Sequence, residues 1–228
     1  MSNHTPDRPR PSADRAHTRP RATGRKGEAG ADLAAWLSAR VLRFAEEWAA
    51  EIRVRGMGKA TVVDEIVARQ VYQLSAMMPE LLGRHATQVQ PLWSRACELF
   101  GAVAAKRGLA AGEVVEEFQI LRTLVIRDLY QDPLVGGAPT LREALRVNGI
   151  VDRGVTHASV GHTDAMFFQL LEDADAPLGL SAEQIALEAD AQLAIIREEL
   201  ASIVGAEELA SEEVVDDWSP SGGSSGDA

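Results

Sequence analysis

Apolar residues recur at steps of three and four along most of this chain, and nowhere do they alternate in twos between turn residues. Steps of three and four place side chains on one face of a helix, whereas alternation is the mark of a strand. The expectation is an all-α fold with no sheet. Leu33, Trp36, Leu37, Val41, Phe44, Trp48 and Ile52 predict one amphipathic helix from Asp32, ended by Gly56 and Gly58. Val63, Ile66, Val67, Val71, Leu74 and Met78 predict a second from Thr61, broken by Pro79, with Leu81 and Leu82 in a short further turn. A third starts near Pro91, carries Leu92, Cys97, Phe100 and Val103, and closes at Gly108. The fourth covers about 111–130. The fifth is long, 141–173, with Thr140 as its cap. The sixth begins at Ser181, where Ser-Ala-Glu-Gln reads as a capping box, and runs to Val204 before Gly205. Five or six helices with one long member predict bundle-like or globin-like packing.

The charge is unevenly spread. Residues 1–30 carry seven Lys/Arg against Asp7, Asp14 and Glu28, a net +4, with four prolines and no large apolar residue after Met1. Such a stretch buries too little to offset its ordering entropy, so it is predicted to be a disordered basic arm. Residues 31–176 are expected to form the folded helical domain, 177–205 a C-terminal amphipathic helix, and 206–228 an acidic Ser/Gly-rich tail. The whole chain carries −11. A basic arm without interleaved aromatics on an acidic body argues against nucleic-acid binding. No window approaches the ~18 apolar residues of a membrane span, and the Arg/Pro-rich start lacks the apolar run of a secretory signal. A cytoplasmic location is expected. Cys97 is the sole cysteine, so neither an internal disulfide nor a thiolate cluster can form.

Two helices carry hints of association. On the fifth, Gly154, Ala158, Gly161 and Ala165 line up at steps of four, three and four. Each glycine inside a helix costs ~1 kcal/mol relative to alanine, and close approach of another helix offsets that. The other helix belongs to the same chain or to a second subunit; the third alternative is the wall of a ligand pocket. On the sixth, Ile185, Ala189, Leu193, Ile196, Leu200 and Ile203 form a heptad-like seam that fits either a coiled coil or folding back onto the bundle.

Signs of catalysis are few. His4, His17, His85, His157 and His162 form no ligand-spaced pair, because His157 and His162 lie about 140° apart on a helix. Gly56-Met57-Gly58-Lys59 lacks the length of a phosphate loop, and there is no G-x-S-x-G elbow. Cys97 reads as a buried structural thiol. His162 on the apolar face reads as a hydrogen-bonded core histidine, with an axial haem ligand as the sharper alternative. His157, with Gly161 four residues on, resembles the exposed histidine of a phosphotransfer bundle, although Val160 stands where a lysine would steady the phosphoryl group. Glu117 and Arg122 lie on opposite flanks of the fourth helix, so each is expected to pair across to a neighbouring helix, Arg122 with Asp152. Glu117, Arg122, Asn148 and Asp152 are the candidate polar network.

The segment AKRGLAAGEVVEEFQILRTLVIRDL, through Arg107, Gly108, Glu117, Phe118, Leu121 and Arg122, resembles the N-terminal sensor domain of the RsbT co-antagonist RsbRD family. Asn148, Asp152, Ser159 and Thr163 of VNGIVDRGVTHASVGHT extend the likeness, which covers roughly residues 33–172. The resemblance implies a non-haem globin-like domain that dimerises and serves as regulatory input in bacterial stress or two-component signalling. This chain departs from the pattern by having only the sixth helix and a tail where an output module is expected, and by His162 in place of an aromatic residue. The expected function is therefore non-catalytic: a homodimer, without cofactor, that senses or relays a signal by contact with a kinase, STAS or anti-sigma type of partner. Phosphotransfer through His157 and small-molecule or haem sensing are the alternatives.

Overall fold

The computed structural model describes residues 28–55, 61–132, 139–172 and 182–216. Among these are seven helices and no strand: α1 (Glu28–Ser38), α2 (Val41–Arg55), α3 (Thr61–Leu82), α4 (Ala86–Lys106), α5 (Ala111–Gln131), α6 (Leu141–Glu172) and α7 (Ala182–Asp216). The arm at 1–27, the glycines at 56 and 58, the loop at 133–138, the Ser181 cap and the end of the tail lie outside the described residues.

The first predicted helix is two. It breaks at Ala39–Arg40, where the Arg40 N–H donates to Leu37 O at 2.9 Å. In one unbroken helix Trp36 and Trp48 are about 120° out of phase; the break lets both indoles enter one core. Trp36 Nε1–H then donates to Asp132 O at 2.9 Å, and Trp48 Nε1–H to Glu117 O at 2.7 Å. The expected stop at Pro79 is also corrected. The helix runs on to Leu82, closed by the Gly83 N–H on Pro79 O at 3.0 Å. Proline forfeits one helical hydrogen bond, and burial of Leu81 and Leu82, about 2 kcal/mol each, offsets it. Similarly, α4 starts at Ala86 rather than Pro91, which lies inside it. Gly108, at φ +77°, turns the chain between α4 and α5. At the start of α6 the Glu143 carboxylate accepts from Thr140 N–H and Oγ1–H at 2.6 and 2.8 Å, the capping box that the sequence half-predicts through Thr140.

α4 is the axis of the domain, packed against α3, α6 and α7, while α5 lies against α6 and α2. The centre holds Trp48, Phe100 and Phe118, with ring centroids 5.4–5.8 Å apart, Trp48 stacked on Phe100 and both meeting Phe118 edge-on. Cys97, on the same core-facing side of α4, is fully buried. Burial, then the neighbouring Glu98 charge, raises its thiol well above the ordinary range. A thiol reagent added to the native protein is thus expected to leave Cys97 unmodified at neutral pH and to react fully in denaturant; prompt native-state reaction counts against this core.

The last helix is longer than predicted. It passes Gly205 and ends at Asp216. Ala186, Ala189, Leu193 and Ile196 are buried, and Leu200 and Ile203 are half-buried against the same core. It folds back on its own bundle, on α3 and α4. Burial of Leu193 and Ile196 contributes about 2 kcal/mol each. The ion pairs along its edges, Arg69–Asp190, Lys106–Glu188 and Arg95–Glu199, are exposed and contribute at most about 1 kcal/mol each.

Candidate functional site: the α4–α6 crossing and its polar flanks

Of the three alternatives for the small-residue side of α6, the structure places an internal helix against it. Around this crossing α4 and α6 run in the same direction, with Trp93 beside Gly154 and Glu98 beside Gly161. A Cβ on Gly161 would lie 2.0 Å from Glu98 O, and one on Gly101 would lie 1.9 Å from Ala158 O. Backbone meets backbone, so no side chain could move aside. Gly154 differs: its missing Cβ makes room for the rings of Phe118 and Trp93. Gly101 completes the crossing and was not singled out in the sequence, although a glycine amid Phe100 and Val103 carries the same signal as Gly161.

Three polar side chains brace the crossing. Ser94 and Glu98 stand one turn apart on α4, and His157 reaches over from α6. The His157 Nδ1–H donates to Glu98 Oε1 at 2.9 Å, and Nε2 lies 2.9 Å from Ser94 Oγ. Ser94 Oγ–H also has the Gln90 carbonyl at 3.2 Å. A hydroxyl, an imidazole and a carboxylate in series are the parts of an activated nucleophile. Here the serine sits mid-helix, where backbone N–H groups are held by carbonyls four residues back, so the backbone offers a developing oxyanion no donors. The two side-chain hydrogen bonds tie α6 to α4 at the crossing. Both ring nitrogens of His157 are engaged, its side chain is 32% exposed, and Gly161 presses on α4 instead of facing outward. His162 is buried, and its Nε2–H donates to Leu109 O at 2.8 Å, so the nitrogen an iron would take is committed to a carbonyl.

The four residues of the predicted polar network separate into two places. Arg122 of α5 pairs with Asp152 of α6. Beside them Arg122, Thr123, Ile126, Arg127 and Asn148 line an open groove of about 520 Å³. Arg122 Nε and Asn148 Oδ1 are buried there without a hydrogen-bond partner in the structure. Glu117 is apart from this groove. Its carboxylate pairs with Arg107 at 3.0 Å, with both side chains less than a tenth exposed. Arg107 follows the last turn of α4, and the Gly108 turn brings it back over α5. Sequence spacing alone does not reveal that partnership, because it depends on the turn. Among the described residues no group of three His, Cys, Asp or Glu is placed to hold a metal ion, and no helix is long and apolar enough to cross a membrane.

Beyond His162, α6 leaves the bundle. From 163 to 171 no residue is buried, and Met166, Phe167, Phe168, Leu170 and Leu171 are exposed. Phe167 and Phe168 are 58% and 61% exposed and pack on each other, rings 6.1 Å apart. No family model, curated protein or solved structure was found to match this chain.

Proposed function

We propose that this is a non-catalytic regulatory helical domain that acts in the cytoplasm by protein–protein contact, as a homodimer joined through the free end of α6. One observation carries the reading: an apolar helix end stands clear of its own core. Contiguous exposed apolar surface of this kind marks an interaction site. A second copy is the occupant that charge favours. Residues 163–171 hold a single charged residue, Asp164, in a chain of net −11, so this is a place where two like-charged bodies can meet without repulsion. A helix end crossing its own copy about a two-fold axis buries the same residues on both sides.

The likeness of residues 33–172 to the RsbRD sensor domain supports the same reading. It brings the expectation of a globin-like domain in bacterial stress or two-component signalling, with a kinase, STAS or anti-sigma type of protein receiving the signal. The mechanism would be a two-state shift of α6 against α4, biased by whatever binds one state better. Light scattering after size exclusion tests the proposal. The full chain is expected at twice its chain mass at tens of micromolar, and Phe167→Glu/Phe168→Glu at its single mass with an unchanged helical spectrum. A monomeric wild-type chain, or a double variant that stays dimeric, overturns it.

A further inference from the structure

We infer that α7 is the resident occupant of a docking face on α3 and α4, and that an acidic amphipathic helix of a partner protein takes the same face when α7 leaves it. This rests on the reading that the domain works by protein contact and names the chemistry of one such partner. The face is a line of buried contacts flanked by bases. α7 presents Ala186, Ala189, Leu193 and Ile196 to the bundle. Arg69 of α3 and Arg95 and Lys106 of α4 stand on the bundle's side, holding Asp190, Glu199 and Glu188 at 3.0, 2.7 and 3.1 Å.

The spacing of these charges is informative. Arg95 and Lys106 are eleven residues apart on α4, as are Glu188 and Glu199 on α7. In two helices that is the same length, about 16 Å. Lys106 meets Glu188 and Arg95 meets Glu199, so the helices run antiparallel and the charges fix both direction and register. Arg69 with Asp190 adds a third point off that line. Residues 182–205 carry five acids and one base, so the complementarity belongs to the whole helix. The face therefore recognises acids eleven residues apart flanking small and branched apolar residues at steps of three, four and three.

Exchange requires that α7 be held less firmly than α6. Among the described residues of α7 the fully buried side chains larger than alanine are Leu193 and Ile196, with Leu200 and Ile203 half-buried beside them. Its ion pairs are exposed and screened by salt. Gly205, the glycine of α7, faces open space, unlike Gly101 and Gly161 at the α4–α6 crossing. A covalently linked helix competes at high effective concentration, so an incoming helix gains the face once the clasp of α7 is weakened.

The test loosens α7 without altering the face. Glu188→Lys, Asp190→Lys and Glu199→Lys are combined in the full chain, and a fluorescein-labelled peptide of residues 182–205 is titrated into it by anisotropy. The variant is expected to bind at least tenfold more tightly than wild-type, more weakly at high salt, and not at all to a peptide bearing the three lysines. No binding to the variant, or equal binding to both proteins, overturns the inference. So does an α7 that passes to a second copy instead, seen as association of the loosened variant beyond that of the otherwise identical protein with native α7. Hydrogen exchange on the wild-type chain guards against misfolding of the variant. Amides of 182–205 are expected to exchange faster than those of α4, and faster again in high salt while α4 is unchanged; equal protection of α4 and α7 at all salt concentrations overturns the inference. Neither measurement depends on the free end of α6 for its outcome, so this inference and the dimer can fail separately.

Discussion

Gly161→Leu is expected to unfold the domain at a temperature roughly 4–8 °C below wild-type, followed by circular dichroism. The replacement puts a Cβ where Glu98 O now lies 2.0 Å away, and the rest of the leucine has nowhere to go but between two backbones. Overpacking of this kind costs about 3 kcal/mol, and the ~1 kcal/mol gained in helix propensity does not offset it. In a chain of this size each kcal/mol moves the midpoint by about 2–4 °C. Gly205→Ala is the contrast. Nothing lies within 4 Å of its new Cβ, so only the propensity term acts, and α7 gains up to ~1 kcal/mol. A Gly161→Leu protein that melts within two degrees of wild-type would show that α4 and α6 do not approach so closely. The same experiment reports on His157, because Ser94 and Glu98 can reach it only while the helices stay together.

Arg107→Met is expected to cost about 3 kcal/mol, more than any single exposed ion pair of this protein. The Arg107–Glu117 pair is nearly out of solvent on both sides. Removing the guanidinium deprives a buried carboxylate of the opposite charge 3.0 Å away, and such a break is far more costly than the net worth of the intact pair. The double variant Arg107→Met/Glu117→Gln is expected to recover most of the loss, because a neutral amide needs no counter-charge. Urea unfolding of the four proteins forms a cycle with a coupling of 1 kcal/mol or more. Additive effects instead would mean that the two groups do not act as a pair. Arg122→Ala is milder, since Asp152 is well exposed.

The helical class, and where most helices lie, could be read from spacing alone, because a buried stripe at steps of three and four is a local property of the chain. α5 and α6 come out nearly as predicted. The errors share a cause. Local propensity makes Pro79, Pro91 and Gly205 helix boundaries, yet all three lie inside helices, while Ala39–Arg40, which carries no breaking residue, interrupts one. In the bundle, burial of Leu81 and Leu82 outweighs the bond lost at Pro79, and the need to bring Trp36 and Trp48 into one core breaks a helix that propensity would continue. The pairing of Arg122 with Asp152 was legible because wheel positions exclude a partner within α5. Arg107 with Glu117 was not, since their meeting depends on a turn that only Gly108 permits.

From the order of its residues alone this chain is committed to amphipathic helices, to an acidic body, and to a small-residue side of α6 that fits a close helix or a pocket wall. What meets that side, α4 within the chain, is decided only when the helices pack, as is the gathering of Ser94, Glu98 and His157 from positions some sixty residues apart. Helical periodicity is written between near neighbours in sequence, whereas a contact across the bundle depends on the direction and depth at which two whole helices cross, and that is set by all of their side chains together.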